Sequence, residues 1–180
     1  MTTMAPPVVA AIQVTEGLPC FRAFVGLGAN LGPVRENLQA ALAELQALPW
    51  SSLEGVSSFY VTKAVGTDGP DYLNVVAALC TSLGPHELLN ALLAIELRLG
   101  RERPRPLAPR TLDLDLLWME GATRDSKTLT LPHPRMGERA FVQEPLAELL
   151  GKLSPKSTDP QPLSPSARAE LAAQQGISLE

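Results

Sequence analysis

The spacing of hydrophobic and polar positions predicts four strands and two helices between residues 22 and 150. The strands are predicted at short apolar or alternating runs: RAFVGLG (22–28), LEGVSSFYVT (53–62), YLNVVAALCTSL (72–83) and RTLDLDLLW (110–118). After Pro33, and again after Pro85, apolar residues instead recur at steps of three and four. This spacing is typical of amphipathic helices, and proline is favoured at a first helical position, so a helix is predicted to begin at each proline.

The order of these elements, β-α-β-β-α-β, predicts the fold class. It is the order of a ferredoxin-like α+β core, in which helices pack on one face of a mainly antiparallel sheet. KTLTL (127–131) is predicted to add a strand, and AFVQEPLAELL (140–150) a final short helix. Residues 1–21 are predicted to be a loose extension, and residues 151–180 an irregular tail in which SARAELAAQQG can form a short helix.

Two aspartates interrupt the last predicted strand, although Asp is depleted in strands. Asp113 and Asp115 are two residues apart, so both carboxylates leave the same face, roughly 6–7 Å apart at a rise of about 3.3 Å per residue. Leu112, Leu114 and Leu116 point to the opposite face. Like charges at this spacing repel unless water, an arginine or a metal ion lies between them. A solvated acidic face is the alternative, and this stretch alone does not decide between the two.

The segment before this strand, RLGRERPRPLAPR (98–110), holds five of the eleven arginines of the chain: Arg98, Arg101, Arg103, Arg105 and Arg110. Guanidinium groups match phosphate oxygens bidentately, and carboxylates bind Mg²⁺, so the two features together favour phosphoryl transfer from a nucleotide. Surface ion pairs between the arginines and aspartates are the alternative. GLGANLG (26–32) lacks the GK[ST] ending of a phosphate-binding P-loop and predicts only a tight strand-to-helix turn.

Composition narrows the function classes. The chain has 180 residues, 45% of them hydrophobic, which predicts one globular domain, and its net charge of −4 argues against bulk nucleic-acid binding. No apolar run approaches the roughly 18–20 residues that span a bilayer, and the N-terminus lacks the basic region of a secretory signal. Cys20 and Cys80 have no metal-ligand spacing and are predicted to be free thiols of a cytoplasmic protein.

Aromatic residues are scarce, at 4%, so their positions carry weight. Tyr72 and Asn74 share one face of a predicted strand, and Phe141 follows Arg139. An aromatic ring beside an amide could hold a flat heterocycle, although ordinary core packing is the favoured interpretation on the residues alone. His133 lies between two prolines near Arg139, where it could contact a phosphate; a polar surface histidine is the alternative.

Several motifs occur in a characteristic order between residues 22 and 150: GLGANLG, VSSFYVT, GPDYLNVVAAL, IELRLGRER, PRTLDLDLLW and LPHPRMGERAF. With these motifs the chain resembles the 6-hydroxymethyl-7,8-dihydropterin pyrophosphokinase family of folate biosynthesis. The resemblance implies a transferase that moves the β,γ-diphosphate of ATP to the pterin hydroxymethyl group and releases AMP. It also implies two Mg²⁺ ions and mobile loops around the site. A monomer is expected, with no nucleic-acid or membrane partner.

The resemblance implies roles for individual residues as well. Asp113 and Asp115 would hold the metal ions, while Arg101 and Arg110 would close over the phosphates. The implied pterin site consists of Thr62, Val65, Tyr72, Asn74 and Phe141, with the two aromatic rings on either side of the pterin. The implied ATP site consists of Glu96, Arg103, Arg110, Leu116, Thr130, His133 and Arg139.

The chain differs from the family pattern at Lys63 and Ala64, where prolines are common, and at Leu107, where a tryptophan often closes the pterin side. Two other functions stay open: a different metal-dependent phosphotransferase or phosphohydrolase with the same acidic pair, and a non-catalytic ferredoxin-like module that binds a pterin or nucleotide. The combination of two aspartates with Arg101 and Arg110 disfavours the module, because binding alone does not require the full set.

Overall fold

The computed structural model describes residues 19–64, 69–100 and 110–180. Its elements are, in chain order, β1 (Phe21–Ala29), α1 (Val34–Gln46), β2 (Ser51–Val56), β3 (Tyr60–Thr62), β4 (Tyr72–Thr81), α2 (Pro85–Arg98), β5 (Asp113–Met119), β6 (Arg124–Asp125), β7 (Thr130–Leu131), a 3₁₀ turn (Met136–Glu138), α3 (Ala140–Lys152), α4 (Pro165–Gln175) and β8 (Ile177–Leu179). Both predicted central helices are present, and each begins at or directly after its proline.

The main sheet has the strand order β5-β1-β4-β3-β8, with β2 also paired to β4. Every pair in this sheet is antiparallel. Since β2 and β3 pair with successive halves of β4, they act as one bent strand. The elements from β1 to β5 then form the β-α-β-β-α-β core of a ferredoxin-like fold. The predicted α+β class is confirmed.

Helices α1 and α2 cover one face of the sheet. Their inward residues, among them Leu38, Leu45, Leu88, Leu92 and Ile95, are fully buried against the strands. Leu112, Leu114 and Leu116 join the same cluster, as the alternation of the acidic strand predicted.

Helix α3 packs on the opposite face, where its Val142, Leu146 and Leu149 contact Phe24 and Val76. The prediction that the helices pack on one face is therefore right for α1 and α2 and wrong for α3. The physical reason is that the central strands β1 and β4 carry buried apolar side chains on both faces of the sheet. Helices are therefore needed on both faces to cover these side chains.

The predicted strand 53–62 is divided in two in the structure. Between β2 and β3, Ser57 N donates to Val76 O (2.9 Å), and the Ser57 hydroxyl accepts from Val76 N (3.0 Å). Ser58 N then donates to the carboxylate of Glu148 on α3. Side chains thus replace ladder hydrogen bonds at this bend, which an apolar pattern does not reveal.

The C-terminal segment adds two elements. Helix α4 occupies the stretch in which the sequence suggested a short helix, and β8 pairs with β3 at the edge of the main sheet, which the sequence did not suggest. The strand predicted at KTLTL is reduced to β7, which pairs with β6 in a separate two-stranded sheet. No helix in the described ranges is long and apolar enough to cross a membrane.

The prediction of two free thiols is wrong in the structure. Cys20 and Cys80 form a disulfide with their Cα atoms 5.4 Å apart. The antiparallel pairing of β1 with β4, which aligns Arg22 with Cys80, brings together two cysteines that are 60 positions apart in the sequence.

Candidate active site

A row of residues crosses three neighbouring strands at one end of the sheet. Gly28 on β1 is the register partner of Asn74 on β4 and of Asp113 on β5. Register partners point to the same face, so the Asn74 amide and the Asp113 carboxylate project on either side of Gly28, which has no side chain. With strands spaced by about 4.8 Å, the two side chains start about 10 Å apart. Gly26 lies in the same way beside Asp115. The two glycines therefore leave an open strip between the polar residues.

A cleft of about 410 Å³ lies above this strip. Residues predicted for the site that line it are Thr62, Tyr72, Asn74, Asp113, Asp115, Arg139 and Phe141. Residues that line it without having been predicted for the site include Gly26, Gly28, Lys63, Arg135, Glu138, Val142 and Gln175. The two groups come from β1, β3, β4, β5, the 3₁₀ turn, α3 and the C-terminal end of α4, so the cleft exists only in the folded chain.

The β3–β4 side of the cleft carries an ordered amide. Asn74 is buried, and its Nδ2 donates to Thr62 Oγ1 (3.0 Å) and to Tyr60 O (3.4 Å). These bonds fix the orientation of the amide, and its Oδ1 lies over Gly28, 3.1 Å from the position that a Cβ there would take. Tyr72 is the register partner of Thr62 at the mouth of the same side.

The β5 side carries the acidic pair, and each acid contacts an arginine. Arg110 Nη1 donates to Asp113 Oδ2, and Arg139 Nη1 donates to Asp115 Oδ2 at 3.1 Å. The repulsion that the spacing predicted is thus offset by two guanidinium groups. Ion pairs between arginines and aspartates, the alternative considered from sequence, do occur, but they lie within the cleft and its rim.

Asn30, in the turn after β1, holds Arg110 in place. The buried Asn30 side chain accepts a hydrogen bond from Arg110 N (2.8 Å) and donates to Pro70 O (3.2 Å), while Asn30 N donates to Arg110 O (3.0 Å). The Asn30 side chain therefore links Arg110, shortly before the acidic strand, to Pro70, shortly before β4. The sequence signal was the asparagine of GLGANLG, which was interpreted only as part of a turn.

The N-terminus of α3 closes the third side. Arg139 precedes the helix and points to Asp115, and its guanidinium lies 5.5 Å from the centre of the Phe141 ring. Residues two apart thus present a charge and an aromatic face to the same cleft.

His133 lies beside the acidic strand rather than on the cleft wall. His133 N donates to Leu117 O (2.7 Å), and its Nδ1 accepts from Arg135 N (3.2 Å). Burial lowers the pKa of His133, and the charges of Arg139 and Arg135 add to this against the opposing effect of Asp115. The imidazole is therefore neutral at neutral pH.

Other residues predicted for the ATP site lie apart from the described cleft lining. Glu96 is buried and its Oε1 accepts from Leu114 N (2.6 Å), and the Leu116 side chain is in the core. Thr130 is half-buried in β7. Val65, Arg101 and Arg103, together with Leu107, fall outside the described residues.

Comparison with known proteins decides the family. The model of the 7,8-dihydro-6-hydroxymethylpterin-pyrophosphokinase family matches residues 24–151, which is more than half of the chain. The chain belongs to this family. It is 46% identical over 142 residues to a 2-amino-4-hydroxy-6-hydroxymethyldihydropteridine pyrophosphokinase of Synechocystis, covering 79% of this chain and 71% of the relative. It is 47% identical over 129 residues to the Pseudomonas aeruginosa enzyme of that name, covering 71% of this chain and 80% of the relative.

Solved structures agree on the fold. The chain aligns with wild-type Plasmodium falciparum HPPK-DHPS with STZ-DHP at a TM-score of 0.59 and 11% identity, over 89% of this chain and 43% of the other. It aligns with an HPPK-DHPS in complex with substrates at a TM-score of 0.60 and 12% identity, over 87% of this chain and 44% of the other. The chain spans less than half the length of these proteins, and at this identity the likeness concerns the fold alone. The family predicted from the sequence motifs is confirmed, and the chain is a pyrophosphokinase of folate biosynthesis.

Proposed function

We propose that the cleft transfers the β,γ-diphosphate of ATP to the hydroxymethyl group of 6-hydroxymethyl-7,8-dihydropterin. The hydroxymethyl oxygen attacks the β-phosphorus, the bond from that phosphorus to the α,β-bridging oxygen breaks, AMP leaves, and the hydroxyl proton is lost. The observation that supports this most strongly is the row Asn74–Gly28–Asp113, which sets an amide and a carboxylate on either side of open space. An amide can hydrogen-bond a heterocycle, and a carboxylate can bind a metal ion.

The pterin is proposed to lie on the β3–β4 side. Tyr72 and Phe141 both line the cleft and are half-buried, which leaves ring surface for stacking on a flat heterocycle. Asn74 is oriented by Thr62, and an amide offers both a donor and an acceptor to the pterin edge. Val65 is proposed to assist through its backbone.

The acidic pair is proposed to hold two Mg²⁺ ions. Hard carboxylate oxygens suit Mg²⁺, which is commonly bound by one or two carboxylates together with substrate phosphates and water. In the described part of the chain no group of three or more His, Cys, Asp or Glu is placed to hold a metal ion. The two carboxylates therefore fit metal that arrives with ATP better than a preformed metal site. Bound Mg²⁺ would neutralise phosphate charge and bring the reacting oxygens together.

The arginines are proposed to exchange partners when ATP binds. Arg110 and Arg139 pair with Asp113 and Asp115 in this structure. If the acids held Mg²⁺, both guanidinium groups would be free to contact the phosphates. Neutralising charge on the transferring group is the main requirement of phosphoryl transfer. Arg101 is proposed to act with them on the phosphates.

The nucleotide is proposed to lie along the outer edge of β5. This strand ends the sheet, so alternate backbone groups point outward: Leu114 N donates to Glu96, and Leu116, two residues on, has the same orientation. Leu116 would then contact adenine through its backbone, since its side chain is buried. Arg103, Thr130, His133 and Arg139 are proposed to contact the remaining parts of ATP.

The reaction is tested by product analysis. The protein is incubated with ATP and Mg²⁺, with and without 6-hydroxymethyl-7,8-dihydropterin, and the nucleotides are separated by chromatography. AMP and pterin diphosphate formed in equal amounts, and only with the pterin, support the proposal. ADP as the product indicates transfer of a single phosphoryl group, AMP or ADP formed without the pterin indicates a phosphohydrolase, and either result contradicts it.

We further propose that the protein acts in the cytoplasm as a monomer with its catalytic domain at residues 22–150. All residues that line the described cleft except Gln175 lie within 22–150, which supports these domain bounds. Light scattering coupled to size-exclusion chromatography, at the concentrations used for the activity assay, tests the monomer.

A further inference from the structure

We propose that Gln175, at the end of α4, is a positioning residue for the pterin side of the cleft. This inference rests on the function proposed above. It extends that function to a segment beyond residue 151, where the match to the family model ends.

The amide of Gln175 holds the chain on both sides of Arg139. Its Oε1 accepts a hydrogen bond from Ala140 N (2.9 Å), and its Nε2 donates to Glu138 O (2.7 Å). Arg139 contacts Asp115, and Phe141 directly follows Ala140. A single side chain thus fixes the peptide units that carry one charged and one aromatic residue of the cleft.

The first turn of α3 needs such a partner. The residue before the helix, Arg139, has an extended backbone and makes no side-chain cap. Ala140 is only 1% exposed. A buried N–H without a partner is costly, so loss of the Gln175 amide favours a shift of this turn toward other acceptors or water. Such a shift moves the Phe141 ring and the Arg139 guanidinium relative to the acidic strand.

Gln175 is itself held firmly enough to do this. Helix α4 ends at Gly176, whose left-handed backbone (φ 61°) turns the chain directly into β8. β8 pairs with β3, where Ile177 is the register partner of Thr62, a residue of the proposed pterin site. The side chain of Lys63, which also lines the cleft, packs against Gly176. The C-terminal strand β8 therefore belongs to the same sheet as the strands that carry the proposed pterin site.

Three variants separate positioning from plain stabilisation. Gln175→Ala removes both hydrogen bonds, and Gln175→Glu keeps an acceptor for Ala140 N but loses the donor to Glu138 O. Gln174→Ala is the matched control, because that neighbouring glutamine is exposed. For each variant the dissociation constant of the pterin is measured by calorimetry, steady-state kinetics give KM and kcat, and thermal denaturation gives the midpoint.

For Gln175→Ala the expected result is a dissociation constant and KM for the pterin raised about five- to tenfold, with a smaller change in kcat at saturating pterin. Gln175→Glu is expected to be intermediate, and Gln174→Ala unchanged. If Gln175→Ala does not fold, an intermediate pterin affinity of folded Gln175→Glu still supports the proposal, and a wild-type affinity overturns it.

A lowered midpoint with unchanged pterin affinity in both Gln175 variants overturns the proposal, because Gln175 is then only a helix cap. An equal loss of affinity in Gln174→Ala also overturns it. If the wild-type protein neither binds the pterin nor forms AMP, the proposed function itself fails. That result is distinguishable, since it appears before any variant is compared.

Discussion

Asp113 and Asp115 show how neighbours determine what a side chain can do. On the opposite face of their strand, Leu112, Leu114 and Leu116 are buried, so the backbone that carries the acids is anchored in the core. On their own face each acid pairs with an arginine, which offsets the repulsion between the two carboxylates. The pair therefore combines a rigid base with partners that can be exchanged for metal ions and phosphate.

Replacing Asp115 by Asn tests the metal role at this scale. The change keeps the size of the side chain but removes the charge that would hold Mg²⁺. Since metal-ion catalysis supplies several kcal/mol of transition-state stabilisation, kcat is expected to fall by about 10³-fold or more. Circular dichroism and the thermal midpoint are expected to stay close to wild type. The control is Asp125→Asn, on the exposed strand β6. Near wild-type turnover in Asp115→Asn would show that the acid does not hold an essential metal.

Gly28 provides a second test, because its missing side chain orders the row across the sheet. A Cβ at Gly28 would lie 3.1 Å from Asn74 Oδ1, whereas the atoms nearest to a Cβ at Gly26 belong to the Leu117 side chain, at 3.4 Å or more. Both glycines line the cleft, so Gly26→Ala controls for lost space. Gly28→Ala is expected to raise the pterin KM about tenfold, the loss expected when one positioned hydrogen-bonding group is displaced. Equal KM values for the two variants would contradict a role for the Asn74 orientation.

The acidic pair could be predicted from sequence, whereas the row that it belongs to could not. Period-two spacing shows that Asp113 and Asp115 share a face, and the motif PRTLDLD placed them in a family. Gly28 separates Asp113 from Asn74 because of the register of β1 with β4 and with β5. Neither of these two strands follows β1 directly along the chain. Register is set by packing over long sequence distances, so Asn30 and the two glycines were seen only as a turn.

At the scale of elements, α3 is fixed to the bent strand β2–β3 through one carboxylate. Glu148 accepts hydrogen bonds from Ser58 N, the Ser58 hydroxyl and the Tyr60 hydroxyl, and pairs with Lys152. Burial alone would raise the pKa of Glu148, but these hydrogen bonds outweigh it and lower the pKa to about 2. Burial and the bond to Glu148 raise the pKa of Tyr60, which keeps the hydroxyl a donor.

This depressed pKa predicts a dependence of stability on pH. The unfolded carboxyl has a pKa of 4.5 and the folded one about 2, so the stabilisation is complete above about pH 5 and is lost as the pH falls toward 2. Its size after solvent screening is about 1–3 kcal/mol. Denaturant unfolding between pH 6 and 3 is expected to show a smaller loss of unfolding free energy in Glu148→Gln than in wild type. The exposed Glu170→Gln is the control, and an unchanged pH slope in Glu148→Gln would contradict the account.

Element prediction succeeded where local pattern determines structure and failed where distant partners do. Helices α1 and α2 follow from apolar spacing after a proline, and α3 and α4 occupy stretches in which the sequence suggested short helices. Strand β8 has three residues and exists because β3 offers a free edge next to it. The division of the strand at 53–62 likewise depends on Glu148, some ninety residues away. Neither leaves a mark in the periodicity of its own segment.

At the scale of the whole molecule, a buried ion-pair network ties the C-terminal segment to the sheet. Arg22, 3% exposed at the start of β1, pairs with Glu54 and Asp159 at 2.7 Å each and donates to Ser154 O (3.0 Å). Close by, Lys156 pairs with Glu120 at 2.8 Å. None of these residues lines the cleft, so the network holds the segment that leads to α4 without entering the site.

Removing one member of this network is expected to change stability and leave catalysis intact. In Asp159→Asn the buried guanidinium of Arg22 keeps Glu54 but loses the negative charge of its second partner, so the free energy of unfolding is expected to fall by about 2–4 kcal/mol. At a temperature where the variant is folded, kcat and both KM values are expected to match wild type. Unchanged stability, or a selective rise in the pterin KM of the folded variant, would contradict this division between support and site.

The central claim is that the cleft between the acidic strand, β4 and α3 is where pterin and ATP meet. It is tested most directly by a crystal structure with 6-hydroxymethyl-7,8-dihydropterin, Mn²⁺ in place of Mg²⁺, and an ATP analogue whose α,β-bridging oxygen is a methylene group. The account predicts two anomalous peaks, each bound by Asp113 or Asp115 and by phosphate oxygens. It also predicts the pterin ring between Tyr72 and Phe141, with its edge on Asn74. A pterin bound elsewhere, or metal ions that do not touch either aspartate, would contradict the account.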